Sequence, residues 1–91
     1  MSTTTSLSLI EGEFDSEEAT EVLMNIFSTK IHFHVMRNFS SEERFGKPDE
    51  VSTTRIPVLK NNIALLTEIL SEAKRKGLNL NISANIQISV G

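Results

Sequence analysis

The side chains in this sequence best suited to chemistry are cationic and recur at helical spacing. Lys30, His34, Arg37 and Arg44 fall within an arc of about 80° if they share one continuous helix. Arginine presents a planar fork and lysine a point charge, and both bind phosphates and carboxylates. Arg55, near the start of the next helical segment, also falls on that segment's inward stripe. One interpretation is therefore a site for an anion, a nucleotide or a partner's carboxylate.

Carboxylates close in sequence support a second interpretation of the same arc. Glu42, Glu43, Asp49 and Glu50 flank the turn that follows the first helical segment. Ion pairs between these groups and the arc would fix the tip of a helical hairpin. We favour this structural role and keep the anion site as the alternative.

A His-x-His pair, His32 and His34, raises the question of a metal site. Residues two apart share a face on a strand, but on a helix they lie about 200° apart and cannot share one ion. Because the surrounding spacing is helical, we expect His32 on the surface, His34 in the interior or an interface, and no metal. The chain has no cysteine, so thiolate metal sites and disulfides are excluded.

Other catalytic patterns find little support. No Gly-x-Ser-x-Gly elbow occurs, and the four glycines are isolated, which argues against a phosphate-cradling loop. We therefore expect a protein that is not an enzyme and holds no cofactor. Lys74, Arg75 and Lys76 are typical of a helix C-terminus, with a small phosphate-binding patch as the alternative. The net charge of −3 argues against nucleic acid as the partner.

Length and composition indicate one small domain over residues 1–91, with residues 1–5 frayed. The first residues carry no positive charge and no apolar run, so they do not resemble a signal peptide. No segment approaches the roughly 18 apolar residues of a membrane span. Together with the absence of cysteine, this predicts a cytoplasmic protein with no membrane partner.

The first half of the chain predicts a strand followed by a long helix. Apolar residues alternate over about Thr4 to Phe14, but the phase slips by one residue between Leu9 and Ile10, which predicts a bulge or a segment covered on both faces. Asp15 and Glu18 match a capping box, and helical spacing then continues to about Arg44.

The second half predicts a helix and then a strand. The helix is expected from about Ser52 to Lys76, with Pro57 in its first turn or two and Gly77 as its cap. Its inward stripe comprises Ile56, Leu59, Ile63, Leu66, Leu70 and Ala73. From Leu78 to Val90 apolar and polar residues alternate without a break, which predicts a strand with one buried face and one solvated face.

These elements predict a β-α-α-β fold of the α+β class. An αα-hairpin would pack on one face of a two-stranded antiparallel sheet. Both edges of such a sheet stay open, and the second strand has no charge or proline to protect its edge. We therefore expect a homodimer or higher oligomer in which dimerisation extends the sheet to four strands.

The first helix carries two apolar stripes, and only one of them can face the sheet and the second helix. The first comprises Ala19, Val22, Leu23, Ile26 and Phe33, and the second comprises Met24, Phe27, Ile31, Val35 and Phe39. Either a subunit contact covers the other stripe, or the helix breaks or kinks near Thr29 so that one stripe changes direction. The function we expect is that of a non-catalytic, self-associating domain, a structural or regulatory subunit acting through protein–protein contacts, with the anion-binding protein as the alternative.

Overall fold

A computed structural model describes residues 3–91 and has two strands and two helices. In chain order these are β1 (Thr3–Phe14), α1 (Ser16–Phe45), α2 (Glu50–Lys76) and β2 (Leu80–Val90). The strands form one antiparallel sheet, and the helices form an antiparallel hairpin. The predicted β-α-α-β fold of the α+β class is confirmed.

The bulge expected in the first strand is present. The register between β1 and β2 shifts between Ser8 and Ile10, so Leu9 has no direct partner. This extra residue restores the apolar phase, because Leu7 and Ile10 now lie on the same face of the sheet. Frayed residues were expected at the N-terminus; residues 1 and 2 lie outside the described residues, but Thr3 to Thr5 are paired with β2.

Helix α1 runs from Ser16 to Phe45 without interruption, so the predicted alternative of a break near Thr29 is wrong. The capping box is formed as predicted: the backbone N–H of Glu18 donates to the Asp15 carboxylate at 2.8 Å, and the Glu18 carboxylate accepts from the Asp15 backbone. The helix ends at Gly46, whose left-handed conformation (φ 72°) suits glycine.

Helix α2 begins two residues earlier than predicted. Asp49 is its N-cap and accepts a hydrogen bond from the backbone N–H of Ser52, so the first helical residue is Glu50. Pro57 lies about two turns into the helix, at the limit of the range expected for it.

Strand β2 begins at Leu80 and not at Leu78, because the end of α2 holds the intervening residues. The N–H of Leu78 donates to the carbonyl of Ala73 at 2.9 Å, and the N–H of Gly77 donates to that of Lys74 at 3.2 Å. These two bonds form a Schellman motif, with Gly77 at φ 67°. The backbone of Leu78 therefore belongs to the helix terminus.

The core lies mainly between the two helices. Leu59 and Leu70 on α2 are buried, as is Ala19 on α1, and the predicted inward stripe of α2 is buried or half-buried throughout. Contacts between helices and sheet are few and leave Ile10 as the one buried hydrophobic residue of the described strands. No helix within residues 3–91 is long and apolar enough to cross a membrane.

The overall shape is flat and extended. The principal dimensions are 50 × 36 × 15 Å, and the radius of gyration is 16.5 Å. A compact chain of this length is expected to have a radius of gyration of about 12 Å. The small number of contacts between the hairpin and the sheet agrees with this extended shape.

Candidate functional site

A buried polar pair lies at the tip of the helical hairpin. His34 on α1 and Ser52 on α2 face each other, with His34 Nδ1 2.9 Å from Ser52 Oγ. His34 is 4% exposed and Ser52 is 0% exposed. The Nε2 atom of His34 is also buried and has no hydrogen-bond partner within the described chain. The imidazole is therefore held by one hydrogen bond within the described chain.

The turn between the helices is tied to this pair through Asp49. The carboxylate of Asp49 accepts from the backbone N–H of Ser52 at 2.9 Å, and its own N–H donates to Asn38 Oδ1 at 3.0 Å. Arg37 Nε lies 3.7 Å from the same carboxylate. The hydrogen bonds from Ser52, assisted by the charge of Arg37, lower the pKa of Asp49. These contacts fix how the chain enters α2.

Three cations surround the buried imidazole. Burial lowers the pKa of His34, and the positive charges of Lys30, Arg55 and Arg37 lower it further, against the opposing charge of Asp49. The ring of Phe33 lies between two of these cations, with Lys30 Nζ 4.8 Å and Arg37 Cζ 5.8 Å from its centroid. Folding therefore favours the neutral form of His34.

The structure brings together only part of the predicted arc. Lys30, His34 and Arg37 lie in one cluster, and Arg55 joins them from α2. No hydrogen bond or ion pair within residues 3–91 connects Arg44 to them. One ion pair, between Arg37 and Asp49, supports the interpretation that the arc fixes the hairpin tip. The other carboxylates expected in that network, Glu42, Glu43 and Glu50, make no ion pair in the described part of the chain.

The two histidines lie in different environments, because α1 is helical where they occur. His32 is exposed and His34 is buried, as their spacing on a helix predicts. They therefore cannot bind one ion together. No group of three or more His, Asp or Glu side chains in residues 3–91 is arranged to hold a metal.

The pairing of Ser52 with His34 is the feature that sequence reasoning missed. A signal was present, since Ser52 precedes Leu59 and Leu66 at seven-residue spacing and so shares the inward stripe of α2. A serine beside a histidine is the arrangement of a nucleophile and its base. Here the hydroxyl is fully buried, so no substrate can reach it in this geometry. The pair fixes the hairpin tip.

The basic run at the end of α2 is engaged within its own helix. The carboxylate of Glu72 accepts hydrogen bonds from Arg75 Nη2 at 2.6 Å and from Lys76 Nζ at 3.0 Å. These bonds lower the pKa of the Glu72 carboxyl. All three side chains are largely exposed. Their position next to the Gly77 cap fits the expected interaction with the helix dipole.

The surface carries many exposed hydrophobic side chains. Sixteen large hydrophobic side chains are exposed, compared with four buried hydrophobic residues in the described chain. Several of those on the helices come directly before an inward-facing residue, as Phe33 comes before His34 and Val58 before Leu59. In two antiparallel right-handed helices, positions one step before the inward stripe lie on the same side of the hairpin. We call this the apolar side; its exposed members are Ile26, Phe33, Val51, Val58, Leu65 and Ile69.

The opposite side of α2 is mostly polar. The residues that directly follow its inward positions are all exposed, and only Pro57 and Ala64 among them are apolar; the others are Thr53, Lys60, Thr67, Ser71 and Lys74. The Asn, Ser and Gln side chains of β2 are also exposed, on the face of the sheet away from its apolar residues. On α2 the large exposed hydrophobic side chains are therefore confined to one side, and on the sheet they lie mainly on one face. On α1 they also include Val35, Met36, Phe39 and Phe45, which lie outside the apolar side.

Comparison with protein-family models, curated proteins and solved structures finds no match for this chain. Function must be argued from the geometry alone.

Proposed function

We propose that this chain is a non-catalytic, self-associating α+β domain that acts through protein–protein contacts as a structural or regulatory subunit. The observation that supports this is the extent of its surface. The accessible surface area is 6990 Å², whereas a monomeric protein of 10.1 kDa is expected to expose about 5,300 Å². The excess of about 1,700 Å² is in the range that an obligate dimer buries on each partner.

The composition of that surface supports the same proposal. Additional exposed surface made of charged side chains would be well solvated by water. The exposed surface of this chain instead includes Leu65, Ile69, Ile86 and Ile88. Contiguous apolar patches of this kind mark interaction sites in soluble proteins. Burying them against another protein removes apolar area from water at about 25 cal/mol per Å².

Sedimentation velocity over a wide range of protein concentrations tests the proposal. We expect a species of about twice the 10.1 kDa chain mass, or a higher multiple, that dissociates on dilution. A monomer that persists at high micromolar concentration would overturn self-association.

Two neighbouring substitutions on α2 make the test specific to the apolar surface. Ile69→Glu places a charge on the apolar side and should weaken association, because the carboxylate would be buried without a partner. Ser71→Glu places the same charge on the polar side and should leave association unchanged. Both positions are exposed, so circular dichroism should report the same helix content for both variants.

The second candidate function is anion binding at the cluster of Lys30, Arg37 and Arg55. One observation favours it: three cations converge near a buried imidazole, and only Arg37 has a carboxylate within 4.0 Å among the described residues. A bound phosphate would neutralise this repulsion and would accept from both Arg and Lys donors.

Calorimetric titration with inorganic phosphate tests this candidate. Saturable binding that Arg37→Glu abolishes and Arg75→Glu preserves supports a site, since Arg75 is exposed and remote on the sequence from the cluster. If phosphate produces no saturable heat, the anion site is wrong. If Arg37→Glu instead lowers the stability of the fold sharply, its pair with Asp49 is structural.

A further inference from the structure

We propose that the partner in this self-association is a second copy joined through the free edge of β2. The two sheets would form one sheet of strand order β1-β2-β2-β1, and each uncovered part of one copy would pack against the other. This inference rests on the proposed self-association and adds its geometry.

The edge of β2 is the less protected of the two. Its residues, Leu80–Val90, include no charge, no proline and no glycine, and its register against β1 is regular on that strand. Strand β1 has Glu11, Glu13 and the bulge at Leu9, which are the devices that keep sheet edges from pairing. Pairing β1 with a copy of itself would also bring like charges together.

The apolar side of the hairpin is uncovered along α2 and loses its cover towards the tip on α1. Ala19, Ile26 and Phe33 follow one another at seven-residue spacing and share one stripe of α1. Ala19, in the first turns after the cap, is 0% exposed, whereas Ile26 is 37% and Phe33 is 48% exposed. The remaining exposed members on α2 extend the same uncovered side. Apolar helix surface therefore lies open where a sheet would be expected to cover it.

The apolar face of the sheet is covered by helices only in part. Ile10 is buried and Ala84 opposite it is half-buried, but further from the helices Leu7, Ile86, Ile88 and Val90 are exposed. These side chains share one face, because Leu7 pairs directly with Ile86 and the pairing runs regularly from there to Thr3 and Val90. This part of the sheet therefore has an apolar face that no helix of the same copy covers.

A two-fold axis perpendicular to the sheet brings these uncovered surfaces together. Such an axis pairs β2 with its copy in antiparallel orientation and keeps both hairpins on the same face of the combined sheet. The uncovered end of each sheet then lies in the layer that faces the partner's hairpin. A second copy supplies both missing surfaces by symmetry, and the excess surface of about 1,700 Å² is enough for an interface of this type.

The absence of cysteine allows a direct measurement with single spin labels. Ser6 and Gln87 are exposed and directly opposite each other on β1 and β2, so they differ only in their lateral position in the sheet. In the assembled protein, labels on Gln87→Cys should be closer to each other than labels on Ser6→Cys by up to about 10 Å, which is two strand spacings. Electron paramagnetic resonance measures both distances.

The outcomes separate this inference from the proposed function. An oligomer in which the Ser6 labels are closer, or in which neither pair is close, overturns the β2 edge and leaves self-association standing. A protein that remains monomeric at every concentration overturns both.

A matched pair of lysine substitutions on β2 provides an independent test. Ile86→Lys places a charge on the apolar face, where the second copy would bury it, and should raise the dissociation constant by at least about tenfold. Gln87→Lys places the same charge on the solvated face and should change it far less. Equal effects at the two positions would overturn the inference, provided that circular dichroism shows both variants folded.

Discussion

The helical hairpin and the two-stranded sheet differ in how completely each buries its own apolar side chains. The hairpin buries its inward stripe between its own helices, with Leu59 and Leu70 each 5% exposed, and it pairs Nδ1 of His34 with Oγ of Ser52. The sheet pairs the backbones of β1 and β2 but leaves Ile86 and Ile88 exposed. Two helices can close an interface alone, whereas two strands have two free edges and a face that needs cover.

The largest effect is expected within the hairpin. Leu59→Ala removes a buried side chain between the helices and should lower the free energy of unfolding by about 2–5 kcal/mol. Leu65→Ala on the apolar side is the matched control and should cost far less in dilute protein, because Leu65 is exposed there. Chemical denaturation measures both. Equal losses would mean that the hairpin interior is not where the stability lies.

The buried polar pair should show strong coupling between its members. Ser52→Ala leaves the His34 ring without a hydrogen-bond partner and should lower the free energy of unfolding by about 1 kcal/mol or more. Adding His34→Leu should recover much of this loss, because replacing both polar groups with apolar ones removes the unpaired atoms. A double-mutant cycle by denaturation measures the coupling. Additive losses would contradict the pair as the unit that fixes the tip.

Acid should destabilise the hairpin before it protonates the carboxylates. Folding lowers the pKa of His34 below its ordinary value of 6.5, so the unfolded chain binds that proton more readily. Stability is therefore fully present above about pH 6.5 and is lost as the pH falls towards the folded pKa. Asp49, whose pKa is lowered below 3.8, adds a further loss at lower pH.

Denaturation at a series of pH values measures this dependence. His34→Gln should flatten the curve between neutral pH and the range where carboxylates titrate. An unchanged slope in that variant would assign the acid sensitivity to other groups.

The smallest effect is expected in the sheet. Ile88→Ser removes an exposed apolar side chain and should change the stability of the dissociated chain by no more than about 0.5 kcal/mol. The same substitution should weaken self-association. Denaturation below and above the association midpoint separates the two effects. A large loss in the dissociated chain would show that Ile88 is packed within the monomer, which would remove the contrast between sheet and hairpin.

Sequence reasoning succeeded where a single short segment decides the outcome. The capping box at Asp15, the bulge near Leu9 and the glycine cap at Gly77 each depend on residues within a few positions of one another. It failed at the start of β2, because the Schellman bonds that hold Leu78 compete with an alternation pattern that continues through it. The start of α2 was predicted two residues too late, because Asp49 was assigned to ion pairing and not to capping.

The candidate site divides in the same way. Helical spacing correctly placed Lys30, His34 and Arg37 together on α1. Arg44 shares their face of α1 but lies two turns beyond Arg37, at about 1.5 Å per residue. Ser52 met His34 only because α2 returns antiparallel at one particular register. Spacing within a helix cannot specify the register between two helices, since that register is set by the packing of both stripes at once.

The sequence by itself therefore determined the four elements, the caps at Asp15 and Gly77 and the inward face of α2, because these follow from local hydrogen bonding and from the period of apolar residues. Only the tertiary structure decided that the imidazole of His34 is buried against Ser52, and that the helices cover one end of the sheet and leave the other open. Those outcomes depend on the register and direction of whole elements, which arise from many weak contacts summed over surfaces far apart in the chain.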